Sequence, residues 1–338
     1  MKNIFLNKSV LITGGCGSVG AEIIDDLLLC DPKVIRIFDI NETGLYNLRN
    51  KYQTYDKIRY LLGNVRDRDR IIRASENVDI IIHAAALKHV FFCEYNPFEA
   101  VQTNVHGTQN VIDAALENSV EKMIFTSSDK AVNPTNVMGM TKLLAERLVV
   151  SANYYKGMRD TQFSCLRFGN IFGSSGSVIS LFRKQIEEGI PITITDQNMT
   201  RFVMTKKEAT NFIFSAIEHT KGGEIFISKM NAVNIEELAK SMMEVYNPSN
   251  TDLGINYIGK SPGEKIFEEL LTETELDAVY EHDDMYILVP EFDDYINENI
   301  HEYIKLDLNN SGNIRSDTSP LLNNAELVNF ITRVFEGC

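Results

Sequence analysis

Six short runs of β-branched and apolar residues, at 9–13, 34–39, 58–63, 79–83, 122–127 and 163–168, alternate with stretches whose apolar residues recur at helical spacing. Strands that are apolar on both faces must be covered on both faces, and parallel neighbours need a crossover between them. The rhythm therefore predicts an α/β fold with a doubly wound parallel sheet, its faces covered by helices at 18–30, 97–116 and 137–155. After residue 173 the rhythm weakens into a Gly- and Ser-rich 173–177, a helix to about Glu188, a strand opened by Pro191 and further mixed elements. The reading is a first domain over 1–172, to which the chain returns around 203–228, and a smaller C-terminal substrate-binding lobe formed mainly by 173–338. A chain of 338 residues with 44% hydrophobic content can bury a core of that size.

Directly after the first run comes Thr13-Gly14-Gly15-Cys16-Gly17-Ser18-Val19-Gly20, with Gly14, Gly17 and Gly20 three residues apart. Such spacing is weak alone, but between a strand and a helix it suits backbone N–H groups and a helix N-terminus that hold a pyrophosphate. The second strand ends at Asp39, nineteen residues beyond Gly20. A carboxylate there accepts hydrogen bonds from an adenosine ribose and repels a 2′-phosphate, so a Rossmann-type domain selecting NAD over NADP is expected.

A net charge of −14 repels nucleic-acid backbones and acidic lipid surfaces, and no basic run offsets it. Neither a nucleic acid nor a membrane is expected as partner. Five cysteines, Cys16, Cys30, Cys93, Cys165 and Cys338, are scattered without C-x-x-C spacing, so neither a disulfide framework nor a metal site is expected. With no signal-like start or membrane-length apolar stretch, the expected location is the cytoplasm. The acidic 281–302 segment reads as a solvated surface or subunit contact.

The most chemically loaded stretch is 127–142, Ser-Ser-Asp-Lys-Ala-Val-Asn-Pro-Thr-Asn-Val-Met-Gly-Met-Thr-Lys. Asp129 and Lys130 put an acid and a base side by side, as an elimination requires. Met138 and Lys142, four apart, share one helix face.

The glycine turn, His83-Ala84-Ala85-Ala86, Ser127-Ser128-Asp129-Lys130 and Leu166-Arg167-Phe168-Gly169-Asn170 resemble the extended short-chain dehydrogenase/reductases. Ala86-Leu87-Lys88-His89-Val90, the Asn133-to-Gly139 motif, Met199-Thr200-Arg201-Phe202 and Pro262-Gly263-Glu264-Lys265 narrow the likeness. They resemble the soluble UDP-N-acetylglucosamine 4,6-dehydratases of bacterial surface-polysaccharide pathways, over residues 9–271.

The resemblance implies a tightly held NAD, oxidation at sugar C4, loss of water across C5 and C6, and hydride return to C6. It assigns Asp129 as acid at the C6 hydroxyl and Lys130 as base at C5. Lys142 becomes the lysine on the nicotinamide ribose, and Met138 stands where most relatives carry a tyrosine. The C4 hydroxyl proton must then leave through Ser128, Asp129 or water. Ser18, Val19, Asn64, Val65, Ala84, Ala85, Ala86, Lys88 and Asn104 complete the expected cofactor set. Lys88, His89, Arg167, Asn170, Ser177, Arg201 and Glu264 are the expected contacts to a UDP-sugar; a homo-oligomer is also expected. A UDP-sugar 4-epimerase and a noncatalytic NAD-binding regulator are the competing readings, and stereochemistry at C5 stays open.

Overall fold

The computed structural model describes residues 3–174, 176–247, 253–283, 285–290, 303–306 and 314–336. Strands β1 (Ser9–Thr13), β2 (Val34–Asp39), β3 (Ile58–Leu62), β4 (Ile80–His83), β5 (Lys122–Thr126) and β6 (Gln162–Arg167) fall on the six apolar runs. β1 and β4 are buried at every position, as expected for strands sandwiched between helix layers.

After β7 (Asn170–Ile171), β8 (Ile192–Ile194) and β9 (Thr200–Met204), the chain returns to the sheet at β10 (Ile225–Ser228). β11 (Asn231–Asn234) and β12 (Ile255–Tyr257) follow, then β13 (Val279–His282), β14 (Met285–Leu288) and β15 (Ile304–Lys305). Among the described residues the main sheet has ten strands in the order β15-β13-β14-β10-β6-β5-β4-β1-β2-β3. The seven from β10 to β3 are parallel, and β14, β13 and β15 add an antiparallel edge. This edge departs from the expected boundary, because part of the C-terminal third completes the first domain's sheet. Glu281 of the acidic segment lies in it and pairs with Lys229 at 3.0 Å; residues 291–302 lie outside the described residues.

Strand order reverses between β1 and β4, which pair from Val10–Ile80 to Thr13–His83. A crevice opens beyond the carboxyl ends of strands at such a switch point. The smaller lobe packs β7-β9-β11 and β8-β12 with the Val178–Glu187, Ile235–Tyr246 and Asn324–Glu336 helices. Its core includes Phe172, Phe182, Leu238 and Phe330.

Two helices carry the site. Val137–Tyr155 starts where Asn136 Oδ1 accepts from Gly139 N at 2.8 Å, and this cap sets the angular position of Met138 and Lys142. The expected helix at 97–116 is interrupted: Pro97–Ala100 leads into a wide-turn segment, Val101–His106, before Gly107–Glu117. Within it Asn104 is buried, donating to Leu87 O at 3.0 Å and Thr141 Oγ1 at 2.9 Å and accepting from Leu87 N at 2.8 Å. Asn104 thus braces the loop after β4 and does not line the cleft, which corrects its expected cofactor contact.

Candidate active site

A cleft of about 840 Å³ opens over the switch point. One end is built by the glycine turn. Gly14 has φ +68°, and a Cβ there would lie 2.7 Å from the Ala85 backbone; at Gly20 it would lie 2.6 Å from Gly15 Cα. The turn therefore seats directly against the loop after β4, an approach that only glycine permits. The Ser18–Leu29 helix follows with Gly17 as its uncapped start, and Gly17, Ser18, Val19 and Gly20 all line the cleft. That arrangement can hold a pyrophosphate.

Asp39 borders the same end, its carboxylate oriented by Cys16 N and Asn41 N, each at 2.9 Å. Asn64, Val65, Ala84, Ala85 and Ala86 continue this wall, and these residues could hold a dinucleotide.

At the other end lie Ser128, Lys130, Met138 and Lys142. Lys142 donates to Thr126 O at 2.8 Å and lies 4.5 Å from the centroid of the Phe125 ring. Burial pushes its pKa down to about 8 against the opposing pull of Glu146. Met138 is buried beside Cys93 and Ala100, so its thioether packs the cleft wall with no group able to accept a proton.

Asp129 has no exposed surface. Its Oδ1 accepts from Ser128 Oγ at 2.8 Å and from Lys130 Nζ at 2.9 Å, and both donors belong to the cleft wall. Lys130 also donates to Asn170 Oδ1 at 3.2 Å. Burial disfavours the Lys130 ammonium, but the Asp129 and Glu268 carboxylates outweigh it and hold the pKa above the usual lysine value. One proton passed across the 2.9 Å between them would turn an ammonium–carboxylate pair into a free amine beside a carboxylic acid.

Lys88, His89, Asn170 and Ser177 line the cleft near this pair, and Ser177 precedes the Val178–Glu187 helix as expected. Arg167 does not. It points away from the cleft, fully buried, and its guanidinium grips Glu146 and Glu275 with contacts at 2.8 Å. A strand alternates its side chains between faces, so neighbouring positions at the end of β6 serve opposite sides; Arg167 is a structural clamp and not a phosphate contact.

Arg201 and Glu264 also lie off the cleft wall. Arg201 donates to Thr200 O, Ile266 O and Lys265 O and sits 3.8 Å from both Glu264 and Glu268. Its charge is answered inside the protein, which removes the case for it as a phosphate contact in this arrangement. Glu264 accepts from Ser261 N at 3.1 Å. Glu268 itself escaped sequence reasoning: its Oε1 lies 3.5 Å from Lys130 Nζ. The available signal was its place four residues beyond Glu264 in a stretch already singled out.

Among the described residues no cluster suits a metal ion, and no helix is long and apolar enough to cross a membrane.

Residues 10–290 match the family model described as polysaccharide biosynthesis protein. An uncharacterized membrane protein of Methanocaldococcus jannaschii is 51% identical, over 86% of this chain and 88% of that protein. A UDP-N-acetylglucosamine 4,6-dehydratase (inverting) of Campylobacter jejuni is 40% identical, over 85% and 84%. A UDP-glucose 4-epimerase of Rickettsia canadensis is 38% identical, over 84% and 83%. The X-ray structure of Pen from Bacillus thuringiensis superimposes with a TM-score of 0.90 at 44% identity, covering 97% of this chain and 98% of that one. With the switch-point cleft and the glycine turn, these matches place the chain in the polysaccharide biosynthesis protein family of the extended short-chain dehydrogenase/reductases.

Proposed function

We propose that this protein is an NAD-dependent 4,6-dehydratase that converts UDP-N-acetylglucosamine to a UDP-4-keto-6-deoxy-N-acetylhexosamine. The observation that carries the reading is the Asp129–Lys130 pair at 2.9 Å, with Lys130 and Ser128 on the wall of a cleft whose far end suits a dinucleotide. NAD bound there supplies a hydride acceptor for C4 and a hydride donor for C6. Residues 17–20 and Asp39 hold it, and the Asp39 carboxylate favours a free ribose over a 2′-phosphate.

Once C4 is a ketone the C5 proton is acidified, and Lys130 as free amine removes it. Asp129 gives a proton to the C6 oxygen, either directly after a small shift or through Ser128 Oγ, and water leaves. The proton gained by Lys130 goes back to C5 as hydride adds at C6, and a proton from water, matching the one released from the C4 hydroxyl, restores the resting ammonium–carboxylate pair. General acid–base work of this kind needs both groups to reach one substrate; Lys130 lines the cleft, and Asp129, buried behind it, reaches the cleft through Ser128 Oγ at 2.8 Å. The C4 hydroxyl proton leaves by the Ser128–Asp129 path at 2.8 Å, since Met138 cannot accept it. Lys88, Asn170 and Ser177 are assigned to the pyrophosphate of the sugar nucleotide, and His89 to the sugar pocket.

The likeness to a 4-epimerase favours a second reading, in which the same cleft inverts C4 and returns hydride there. Epimerisation expels no C6 hydroxyl and gives the Asp129–Lys130 pair no work. Incubation with UDP-N-acetylglucosamine followed by mass spectrometry separates the readings. A loss of 18 Da, the mass of water, is expected; an isobaric product with an altered sugar supports the epimerase, and an unchanged substrate supports a noncatalytic binder.

A further inference from the structure

Behind Lys130, on the side reached by the stretch after the 262–265 motif, sits a second carboxylate. Glu268 is 2% exposed. Its backbone is fixed by an exchange with Ser316, Glu268 N donating to Ser316 Oγ at 2.9 Å and Ser316 N donating to Glu268 O at 3.0 Å. Its side chain is held differently. Oε1 lies 3.5 Å from Lys130 Nζ and 3.8 Å from Arg201 Nε, while Oε2 is buried with no hydrogen-bond partner among the described residues.

A carboxylate kept for structure is normally saturated with hydrogen bonds, because a buried oxygen without a donor costs about 1–3 kcal/mol. Glu224 in this protein is such a case, accepting from Ser164, Thr220, Lys221 N and Gly222 N. Glu268 instead meets charges. Besides Lys130 and Arg201, the groups facing it are the Asp129 carboxylate and the Lys265 ammonium. Lys265 is itself turned to Val132 O at 2.7 Å and lies 3.9 Å from Glu269.

We propose that Glu268 is a positioning residue that sets the proton affinity of Lys130, and so how readily Lys130 passes its proton to Asp129 and becomes a free amine able to take the C5 proton. The inference rests on the dehydratase reading for that last clause only. An ionised Glu268 stabilises the ammonium; a protonated one leaves Asp129 as the only carboxylate beside it and eases the transfer from Lys130 to Asp129. Burial, the largest influence, raises the Glu268 pKa with help from the Asp129 carboxylate and against the pull of the Lys130 ammonium, and so makes this proton exchange accessible.

The test measures Lys130 directly. Full-length wild type and Glu268→Gln are acylated briefly with acetic anhydride across a pH series, and labelling of the Lys130 peptide is read by mass spectrometry. An opposite charge within about 4–6 Å moves a titration by about 1–3 units, so half-labelling in Glu268→Gln is expected about 1–3 pH units lower. Glu268→Asp, which keeps the charge but draws it back, should shift in the same direction by less, and it decides the matter if the glutamine variant does not fold. Superimposable Lys130 titrations in wild type and variant overturn the proposal. A protein that shows the shift but never dehydrates a UDP-sugar keeps this inference and loses the assigned reaction; dehydration with no shift does the reverse.

Discussion

Two lysines face the same cleft and are pushed in opposite directions, which separates their work. Asp129 and Glu268 raise Lys130, whereas burial lowers Lys142 to about 8. For Lys142 the folded value lies below the unfolded one, so between about pH 8 and 10.5 the unfolded chain binds more protons. The contribution of Lys142 to stability should therefore rise with pH through that window. The gain is on the order of 3 kcal/mol at about 1.4 kcal/mol per unit. Across that window the denaturant midpoint of wild type, measured without added nucleotide, should gain on that of Lys142→Met as pH rises, the difference cancelling the other titrating groups, among them the cysteines whose raised pKa values act with the opposite sign; parallel curves would remove the buried-lysine account. At the reacting end, Lys130→Ala and Asp129→Asn should each cut dehydration by at least about 100-fold, the lower range of general acid–base contributions. Met138→Tyr should retain measurable turnover, because the proposed proton path runs through Ser128 and Asp129. Wild-type-like turnover in Lys130→Ala would eliminate the base.

Elements matter here chiefly at their ends. The turn between β1 and the Ser18–Leu29 helix works because its Gly14 Cα can touch the Ala85 backbone. Gly14→Ala introduces a contact of 2.7 Å at φ +68°, so nucleotide-induced thermal stabilisation should largely vanish. At the end of β6, Arg167 ties that strand to the Val137–Tyr155 helix through Glu146 and to the Glu273–Ala278 turn through Glu275. Arg167→Ala leaves two carboxylates facing each other without their cation. A loss of about 3–5 kcal/mol is expected in chemical denaturation, the range for breaking a buried pair. If Arg167 were instead a phosphate contact, the variant would raise KM and leave stability alone.

For the molecule as a whole, ligand linkage gives the broadest check. A ligand that binds only the folded state stabilises it by RT ln(1 + [L]/Kd). NAD at saturating concentration should raise the melting temperature clearly more than NADP does, since the Asp39 carboxylate lines the end of the cleft assigned to the adenosine ribose; an equal or larger rise with NADP would reverse the cofactor assignment. The sheet, its switch point and the Asp129–Lys130 neighbourhood were legible in the chain, because apolar periodicity, glycine spacing and adjacency are local properties. What lies across long sequence separations was not. Arg167 sits one residue before Phe168, which lines the cleft, yet the pleat and the distant Glu275 send its guanidinium into the core. The antiparallel edge β13-β14-β15 was hidden because short strands of mixed polarity look like loop until a neighbour pairs with them. Glu268 stands 138 positions beyond Lys130 and becomes its ion-pair partner only after the 264–271 stretch folds back against it. Local pattern thus determined which elements form and where the glycine turn and the Asp129–Lys130 pair fall. Tertiary packing alone decided which charges share one buried volume, because burial and mutual distance, not residue identity, set how tightly each proton is held.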